Sequence, residues 1–310
     1  MVRTAFVFAG QGAQYQGMGR EIYESSPESK KVFDIFDRIR PGTSEQCFYA
    51  SKEELTLTQN TQPCMYATEM AIMAALEENC IQADAAAGFS LGEICALTYS
   101  GVFTLEEGFD FIISRSAAMQ RAAESGNGRM AAILRLDPAV IESVCARFDQ
   151  VWAVNYNSPG QTVVSGIEGS VHDVVKECEK LGGRAIVLSV SGAFHSPLME
   201  DASKMLVGVL SQKKRFSTKI PVYSNVTGEV AEEGRLKELI ALQVKSPVLW
   251  SKTIESMKRN GIGLFIEIGP GKVLSGLIKK IIPEAIVTNV EDAASLNAAK
   301  ELLKSFGELP

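Results

Sequence analysis

Apolar residues in the first part of the chain alternate between short runs typical of buried strands and longer stretches with helical spacing. The run TAFVFAG (4–10) predicts a strand that leads into the glycine-rich loop GQGAQYQGMG. Helical spacing over 62–80 predicts a helix, and AAAGFS (85–90) predicts a second strand. Residues 91–99 and 104–124 have helical patterns again. This order of strands and helices indicates an α/β fold class.

The pattern changes between residues 126 and 193. MAAIL predicts a strand, and DPAVIESVCARF predicts a helix capped by Asp137 with Pro138 in its first turn. VWAVNYNSPGQTVVSGI predicts two strands around a Ser-Pro-Gly turn, SVHDVVKECEKLG an amphipathic helix, and RAIVLSV a last strand. The order β-α-β-β-α-β is the split unit of a ferredoxin-like fold. We therefore predict a smaller, ferredoxin-like subdomain over 126–193.

The α/β pattern resumes after this insert. PLMEDASKMLVGVLSQ predicts a helix, VYSNVTG a strand and turn, and 250–260 another helix. GLFIEIGPG predicts a strand ending in a glycine turn, and AIVTNV predicts the last strand. The expected organisation is one discontinuous core domain, formed by 1–125 and 194–310, with the subdomain of 126–193 inserted into it.

Composition narrows the possible functions. The chain has 310 residues, of which 46% are apolar and 22% charged, and its net charge of −6 disfavours nucleic-acid binding. Its apolar runs are far shorter than the roughly 18 residues that span a bilayer, and MVRTAFVFAGQG turns polar too early for a signal peptide. We expect a cytoplasmic protein. The glycine-rich loop lacks the lysine of a P-loop. The cysteines form no C-x-x-C pair and predict neither disulfides nor zinc; they are Cys47, Cys64, Cys80, Cys95, Cys145 and Cys178.

The stretch AAAGFSLGEICAL places Ser90 between an apolar run and helix-forming residues, with Gly88 and Gly92 on either side. Glycines relieve crowding at a sharp strand-to-helix turn, so that the hydroxyl and the next backbone N–H face the same space. The positive end of the following helix would face any oxyanion formed there. The pattern G-x-S-x-G suits a structural turn as well as a nucleophile elbow, so the serine needs a partner before it indicates catalysis.

Histidine is the side chain best suited to take a proton from serine at neutral pH, and this chain contains two. His172 lies beside Asp173 on the polar side of a predicted amphipathic helix, so we expect it on the surface. His195 lies in VSGAFHSPLM, where the predicted insert returns to the core domain. If a histidine activates Ser90, His195 is the candidate.

Eight short motifs, taken together in their order and spacing, resemble the malonyl-CoA:acyl carrier protein transacylase family. They extend from residue 5 to about residue 280, so the resemblance covers nearly the whole chain. It implies an α/β-hydrolase-like core with a parallel sheet, a ferredoxin-like subdomain, and an active site in the cleft between them. The motifs are FAGQGAQ, GFSLGE, SRSAAMQ, NYNSPGQTVVSG, GAFHSPLM, SNVTG, QVKSPVLW and EIGPGKVLSGL.

The resemblance also implies catalytic roles. Ser90 would be the nucleophile that carries the malonyl ester, and His195 the general base and then the general acid. The third member of the triad in this family is a backbone carbonyl, and the matching residue is Gln243. A neutral orienter fixes the imidazole tautomer without holding a carboxylate next to an anionic substrate. The backbone N–H groups of Gln11 and Leu91 would form the oxyanion hole.

Substrate-binding residues are implied in the same way. Arg115 matches the arginine that holds the free malonyl carboxylate, which a guanidinium can bind through two parallel hydrogen bonds. Met119, one helical turn later, would line the same pocket or pack in the core. Phe194 matches the residue that malonyl-selective members share before the base. Asn155 and Asn157 are expected to face the cleft.

The resemblance implies malonyl-CoA as donor substrate and acyl carrier protein as partner, in a ping-pong reaction that supplies fatty acid synthesis. We expect no permanently bound cofactor, no metal, no nucleic-acid or membrane partner, and a monomer. Because the carrier is acidic as a class, a basic patch near the cleft should receive it. Lys279 and Lys280 in LIKKII are the candidates.

The chain departs from the family at one position near the chemistry. Most members have histidine before the nucleophile, whereas this chain has Phe89. That histidine is not the base, so the mechanism survives, but any hydrogen bond it makes near the elbow is missing. Two other functions stay open. A serine thioesterase or esterase would use the same Ser90 and His195, although Arg115 and the neutral orienter fit it less well. A carrier-docking subunit with weakened catalysis is suggested only by Phe89.

Overall fold

The chain forms two separate β-sheets whose strands come from different parts of the sequence. The computed structural model describes residues 2–124, 126–190 and 192–307. The strands within these ranges are β1 (Arg3–Phe8), β2 (Ala85–Gly88), β3 (Gly128–Leu134), β4 (Val151–Ser158), β5 (Gln161–Ile167), β6 (Arg184–Val187), β7 (Ile262–Ile268) and β8 (Ile286–Val290).

The α-helices lie between these strands and cover the sheets. They are α1 (Arg20–Ser25), α2 (Pro27–Ile39), α3 (Thr43–Tyr49), α4 (Lys52–Thr56), α5 (Thr58–Glu78), α6 (Gly92–Tyr99), α7 (Leu105–Glu124), α8 (Pro138–Cys145), α9 (Glu168–Lys180), α10 (Glu200–Leu210), α11 (Leu236–Leu242), α12 (Trp250–Arg259), α13 (Val273–Ile281) and α14 (Ala293–Ser305).

The first sheet is parallel, with strand order β2-β1-β7-β8. Its central strand β1 is apolar on both faces because helices cover both sides. Phe6 and Phe8 pack into the larger core with residues of α5 and α7. Ala5 and Val7 face the other way, into a core formed with α12 and α13. The two faces of one short strand thus anchor both helical layers.

The second sheet is antiparallel, with strand order β4-β5-β3-β6. Helices α8 and α9 pack on one face of this sheet. Together they form a separate apolar cluster, in which Val174 of α9 packs with Ile133 and Val164 of the sheet. The mixed α/β architecture expected from the hydrophobic pattern is therefore confirmed, with one parallel and one antiparallel sheet.

The stretch VYSNVTG is not a strand, which corrects the expectation for this segment. Val222 and Tyr223 form only isolated bridges, to Ala86 and Val230 respectively. The backbone turns away at once, since Gly228 N donates a hydrogen bond back to the carbonyl oxygen of Ser224. A turn of this kind ends strand pairing after one residue pair.

Strand β4 also contacts the segment that leads into helix α12. Tyr156 N donates to the carbonyl oxygen of Val248 at 3.0 Å, and Val248 N donates to the carbonyl oxygen of Val154 at 2.8 Å. At the other end of the site, Gln11 and Ser90 follow the carboxyl ends of the adjacent parallel strands β1 and β2. Ligands of parallel α/β sheets bind at this edge.

Candidate active site

Ser90 occupies a sharp turn between β2 and α6 that only small neighbours permit. Its φ of 54° lies in the left-handed region, which is strained for a residue with a side chain. A Cβ atom added to Gly88 would overlap the backbone of Gly92, and one added to Gly92 would overlap the carbonyl oxygen of Phe8. The two glycines therefore allow strand, turn and helix to approach closely enough to expose the serine hydroxyl.

Asn225 holds this turn from a distant part of the chain. Its side-chain oxygen accepts a hydrogen bond from Ser90 N at 2.8 Å, and its side-chain nitrogen donates to the carbonyl oxygen of Gly88 at 2.7 Å. The Asn225 side chain is fully buried. The sequence motif SNVTG contains this residue, but the pattern gave it no role; its contact with Ser90 is visible only in the structure.

His195 is brought into direct contact with Ser90. The distance between Ser90 Oγ and His195 Nε2 is 2.8 Å. On the other side of the ring, Nδ1 lies 3.0 Å from the carbonyl oxygen of Gln243 and 3.2 Å from that of Ser246. Because carbonyl oxygens only accept hydrogen bonds, Nδ1 carries the proton and Nε2 is free to accept the serine proton. Ser246 adds a second carbonyl to the expected orienter.

Burial keeps this imidazole neutral. His195 is buried, and its pKa falls from 6.5 to about 4, first because of burial and then because of the nearby charge of Arg115. A neutral imidazole at pH 7 is the form that can act as a base. His172, by contrast, is exposed on α9.

Arg115 lies on α7 beside the serine and is 1% exposed. Its Nη2 donates to Ser90 Oγ at 3.1 Å and to Gln243 Oε1 at 2.7 Å, and its Nη1 donates to Gln62 Oε1 at 2.7 Å. Burial lowers its pKa to about 10, so it stays charged at neutral pH.

The hydrogen-bond partners of the Arg115 guanidinium are all uncharged. Among the described residues it forms no salt bridge, and its Nε is buried without a hydrogen-bond partner. The nearest acid, Glu93, interacts with the guanidinium only at a distance and does not contact it, so the buried cation keeps free donor capacity for an anion. Gln62, on α5, is an unpredicted member of this site; a buried glutamine in an apolar helix was the available signal.

Gln243 contributes more than its backbone. Its Nε2 donates to the carbonyl oxygen of Ser90 and to Glu93 Oε2, both at 2.7 Å. Glu93 is 3% exposed, and burial raises its pKa to about 7. It follows Ser90 by three residues, and sequence reasoning gave it no role although it closes the motif GFSLGE. A carboxylate in the first turn of an otherwise apolar helix was the signal.

The backbone amides of Gln11 and Leu91 are the expected donors of an oxyanion hole. Leu91 N is the first amide after Ser90, at the start of α6, and Gln11 N lies in the loop after β1. A Cβ atom added to Gly10 would lie 2.8 Å from the carbonyl oxygen of Phe89, so this loop passes close to the elbow. Neither Gln11 N nor Leu91 N donates a hydrogen bond to another described residue.

A cavity of about 230 Å³ lies next to the elbow and is lined by Gln11, Phe89, Asn155 and Asn157 among others, whereas Ser90, His195 and Arg115 do not line it. The side-chain oxygens of both asparagines are buried and have no hydrogen-bond partner among the described residues. Unused acceptors at a cavity wall can receive donors from a ligand. Leu277, on α13, lines the same cavity.

The remaining predicted residues lie around this centre. Met119 Sδ lies 3.4 Å from Gln62 Nε2, so it supports the glutamine that binds Arg115. Phe194 is buried in the larger core. Lys279 and Lys280 are exposed in the last turn of α13, the helix that borders the cavity.

Phe89 packs against Trp250 of α12. Their ring centroids are 5.6 Å apart in an edge-to-face arrangement. The indole Nε1 of Trp250 is buried and has no hydrogen-bond partner among the residues that the structure describes. The side chain before the nucleophile is therefore part of the core that supports the elbow.

Comparison with known proteins assigns the chain to a family. Residues 5–305 match the family model of the acyl transferase domain. The chain is 38% identical over 312 residues to the malonyl CoA-acyl carrier protein transacylase of Bacillus subtilis (strain 168), covering 98% of each protein. The chain belongs to this transacylase family.

Solved structures of the transacylase family share the fold along almost the whole chain. The enzyme of Clostridium perfringens superposes with a TM-score of 0.94 at 39% identity, with 98% of each chain covered. A malonyl-transacylase in complex with a type II PKS acyl-carrier protein superposes with a TM-score of 0.93 at 32% identity, covering 97% of this chain and 99% of that one.

Two further observations concern this family member as a whole. None of its helices in the described ranges has the length and apolar character needed to cross a membrane. Across the same residues, no three side chains of the types His, Cys, Asp and Glu come together in the manner of a metal site.

Proposed function

We propose that this acyltransferase transfers a malonyl group from malonyl-CoA to the phosphopantetheine thiol of acyl carrier protein, through a malonyl ester of Ser90. The reaction would supply extender units for fatty acid synthesis. The observation that carries the proposal is the buried Arg115 guanidinium, which contacts Ser90 Oγ at 3.1 Å and has neutral partners only.

The serine, histidine and backbone carbonyls support the acyl-transfer chemistry. His195 Nε2 takes the hydroxyl proton as Ser90 Oγ attacks the thioester carbonyl carbon. The carbon–sulfur bond then breaks, and CoA leaves as a thiol with the proton from His195. In the second half, His195 takes the proton of the carrier thiol, whose sulfur attacks the malonyl ester. The ester bond breaks, and the proton returns to Ser90.

The backbone amides of Gln11 and Leu91 are proposed to stabilise the tetrahedral oxyanion. Their free N–H groups support this role, as does the position of Leu91 at the positive end of α6. One such donor typically contributes about 10²- to 10³-fold in rate. The side-chain oxygens of Asn155 and Asn157 would accept hydrogen bonds from the donor's amide groups.

Arg115 supplies the selectivity for malonyl. A guanidinium can pair with the free carboxylate of the malonyl group, and the neutral Gln62 and Gln243 leave its charge available. Met119 would act on this pocket through Gln62, and Phe194 through the packing behind the base. A thioesterase has no need of a buried cation beside its nucleophile.

The carrier protein is proposed to dock beside the cavity. One structural relative was solved in complex with an acyl-carrier protein. Lys279 and Lys280 extend from the helix that lines the cavity and would attract an acidic partner. Supporting charges of this kind affect the rate of encounter more than the affinity.

The finer description of the fold is part of the same proposal. The order β4-β5-β3-β6, with two helices on one face, supports a ferredoxin-like subdomain at 126–193. A parallel sheet that carries a serine elbow supports an α/β-hydrolase-like core formed by 1–125 and 194–310. All six cysteines are free thiols, which supports location in a reducing compartment such as the cytoplasm.

Mixing the protein with malonyl-CoA and measuring its intact mass tests the proposal directly. We expect the mass of one malonyl group, located on Ser90 by peptide mapping, and none in Ser90→Ala. Addition of carrier protein should then remove the group from the enzyme and transfer it to the carrier thiol. Labelling that survives the substitution would overturn the nucleophile assignment. Rapid loss of the group to water without carrier would indicate a thioesterase instead.

A further inference from the structure

Glu93 is a buried acid in the site for which the reaction described above has no role. It lies in the first turn of α6 and is 3% exposed. Its Oε2 accepts hydrogen bonds from Gln243 Nε2 at 2.7 Å and from Asn225 N at 3.2 Å. Among the described residues it forms no salt bridge. Burial of a carboxyl group is costly unless hydrogen bonds compensate for it, and the two partners of Glu93 both belong to the site.

The side-chain amide of Gln243 has two ends of opposite character, and its neighbours decide which way it faces. One end donates to Glu93 Oε2 and to the carbonyl oxygen of Ser90. The other end, Oε1, accepts from Arg115 Nη2 at 2.7 Å. Carbonyl oxygens only accept, Glu93 Oε2 already accepts from Asn225 N, and a guanidinium only donates. In a flipped amide, Gln243 Oε1 would face the oxygen acceptors of Glu93 and Ser90, and Gln243 Nε2 would face the Arg115 donor. Neither contact could form a hydrogen bond.

We propose that Glu93 is a positioning residue that fixes the amide orientation of Gln243 and thereby holds the Arg115 guanidinium beside Ser90 for the malonyl carboxylate. This inference rests on the proposed malonyl transfer. Glu93 touches neither the Ser90 hydroxyl nor His195; it acts through one intervening amide. The base is oriented by the Gln243 backbone carbonyl, so the amide orientation affects Arg115 more than His195.

An intervening amide explains why no acid contacts Arg115 directly. A carboxylate in hydrogen-bond contact with the guanidinium would occupy the donors that the substrate needs and would neutralise its charge. Gln243 Oε1 orients Arg115 Nη2 through a hydrogen bond, but it carries only a partial negative charge and does not neutralise the guanidinium. Glu93 supplies directionality from one residue farther away, while Gln62 holds Nη1 from the other side.

Three variants and one control test this role. Glu93→Met removes the acceptor but keeps a side chain of similar length, whereas Glu93→Gln keeps an oxygen that can accept both hydrogen bonds. Gln243→Met removes the intervening amide. Glu69→Met is the control, because Glu69 is also a fully buried glutamate, on α5, and makes no contact with Gln243 or Arg115. For each variant, kcat and KM are measured with malonyl-CoA and with acetyl-CoA, using the same carrier protein.

We expect Glu93→Met to lower the malonyl-to-acetyl ratio of kcat/KM by about tenfold, mainly through a higher KM for malonyl-CoA. Glu93→Gln should stay within about threefold of wild type, and Glu69→Met should leave the ratio unchanged. Gln243→Met should lower the ratio as Glu93→Met does. Adding Glu93→Met to Gln243→Met should lower it no further, since one residue acts through the other.

Other outcomes overturn the inference. Equal losses with both donors in a folded Glu93→Met enzyme would make Glu93 merely structural, as would a Glu93→Gln variant as impaired as Glu93→Met. If Glu93→Met fails to fold, Gln243→Met alone decides, and a wild-type ratio in that variant rejects the proposed link. A wild-type enzyme without preference for malonyl would instead reject the proposed function.

Discussion

At the scale of single residues, the proposed nucleophile and its proposed base both occupy unfavourable backbone conformations. Ser90 has a φ of 54° and His195 a φ of 62°. Such conformations cost about 1–3 kcal/mol each and persist only where surrounding contacts over-determine them. Asn225 fixes the Ser90 amide, and the carbonyl oxygen of Val244 accepts from His195 N at 2.9 Å. The backbone contacts therefore hold the two side chains within hydrogen-bond distance before any substrate binds.

Substitution of the two histidines should separate a catalytic from a surface residue. We expect His195→Ala to lower the transfer rate by at least about 10²-fold, because the serine loses its proton acceptor. His172→Ala should leave the rate within experimental error, since this side chain is exposed on α9. Steady-state transfer assays at saturating malonyl-CoA provide the measurement. Equal losses in the two variants would show that the base is misassigned.

Removal of the buried cation should change the preferred donor. Arg115→Ala takes a charged hydrogen bond from the malonyl carboxylate, worth about 1.5–3 kcal/mol, whereas acetyl has no carboxylate to lose. The ratio of kcat/KM for malonyl-CoA over acetyl-CoA should therefore fall at least about tenfold.

The same carrier protein serves both donors, and Arg121→Ala on the same helix α7 is the control. If both donors lose activity in proportion, Arg115 is structural and the malonyl assignment loses its main physical support.

At the scale of secondary-structure elements, each part of the site lies at an end of a strand or helix or on a buried helix face. Ser90 and Gln11 follow parallel strands, Gln243 follows α11, and Arg115 lies on the inner face of α7. Packing of whole elements thus sets the distances between catalytic atoms. Changes that alter this packing should act on the reaction without touching the substrate.

Replacement of the residue before the nucleophile tests this packing. We expect Phe89→His to remain folded and to keep transfer activity within about threefold, because an imidazole fits the same ring contact and takes no proton from Ser90. Its ring can also offer an acceptor to Trp250 Nε1, which lacks a partner among the described residues. Phe89→Ala should lower the free energy of unfolding by about 2–3 kcal/mol through the loss of the ring contact.

Thermal unfolding and transfer assays on both variants provide the readout. A folded but inactive Phe89→His enzyme would mean that the elbow is packed differently from that of the family.

The hydrophobic pattern predicted most strands and several helices, but it missed the helices α1 to α4 and α14. Strand β1 and helix α5 are apolar on almost all sides because they are buried, and α7 has apolar positions at helical spacing. None of the helices α1 to α4 was predicted: α1, α3 and α4 have at most seven residues and depend on packing, whereas α2 has 13 residues, and its cap at Ser26 with Pro27 in the first turn was an available signal that was missed. VYSNVTG was misassigned because β-forming residues met a turn that ends pairing.

The residues of the site also differ in how far the sequence could predict them. Ser90, His195 and Arg115 stand in local motifs and could be predicted from them. Gln62, Glu93 and Asn225 could not, because their roles depend on contacts with residues far away in the chain: Ser90 is 135 positions from Asn225, and Arg115 is 53 from Gln62. Local periodicity carries no information about such pairs.

At the scale of the whole molecule, two buried titratable groups act on stability in opposite directions. The pKa of His195 falls to about 4 on folding, so its contribution to stability is lost as the pH falls below 6.5. The pKa of Glu93 rises to about 7, so its contribution is greatest below pH 4.5 and is lost as the pH rises towards 7. Between these limits the two contributions partly cancel.

The stability of Glu93→Gln at two pH values should isolate the contribution of Glu93. The variant cannot ionise at position 93, so its free energy of unfolding relative to wild type should increase by about 3 kcal/mol between pH 4.5 and pH 7.5. Urea unfolding at both pH values measures the difference, and Lys279→Gln, at an exposed position, is the control. A difference that does not vary with pH would show that Glu93 is already ionised in the acidic sample.

The contacts of Ser90 also decide when, during its synthesis, the protein can become active. The serine depends on His195, Asn225 and Gln243, which lie 105, 135 and 153 positions farther along the chain. During translation, Ser90 therefore emerges from the ribosome well before the residues that would activate it. Until the segment that ends at Ser246 has emerged and docked, the nascent chain carries an inert alcohol and consumes no donor thioester. The proposed activity therefore requires that the chain has been made at least as far as Ser246 and has folded back onto Ser90.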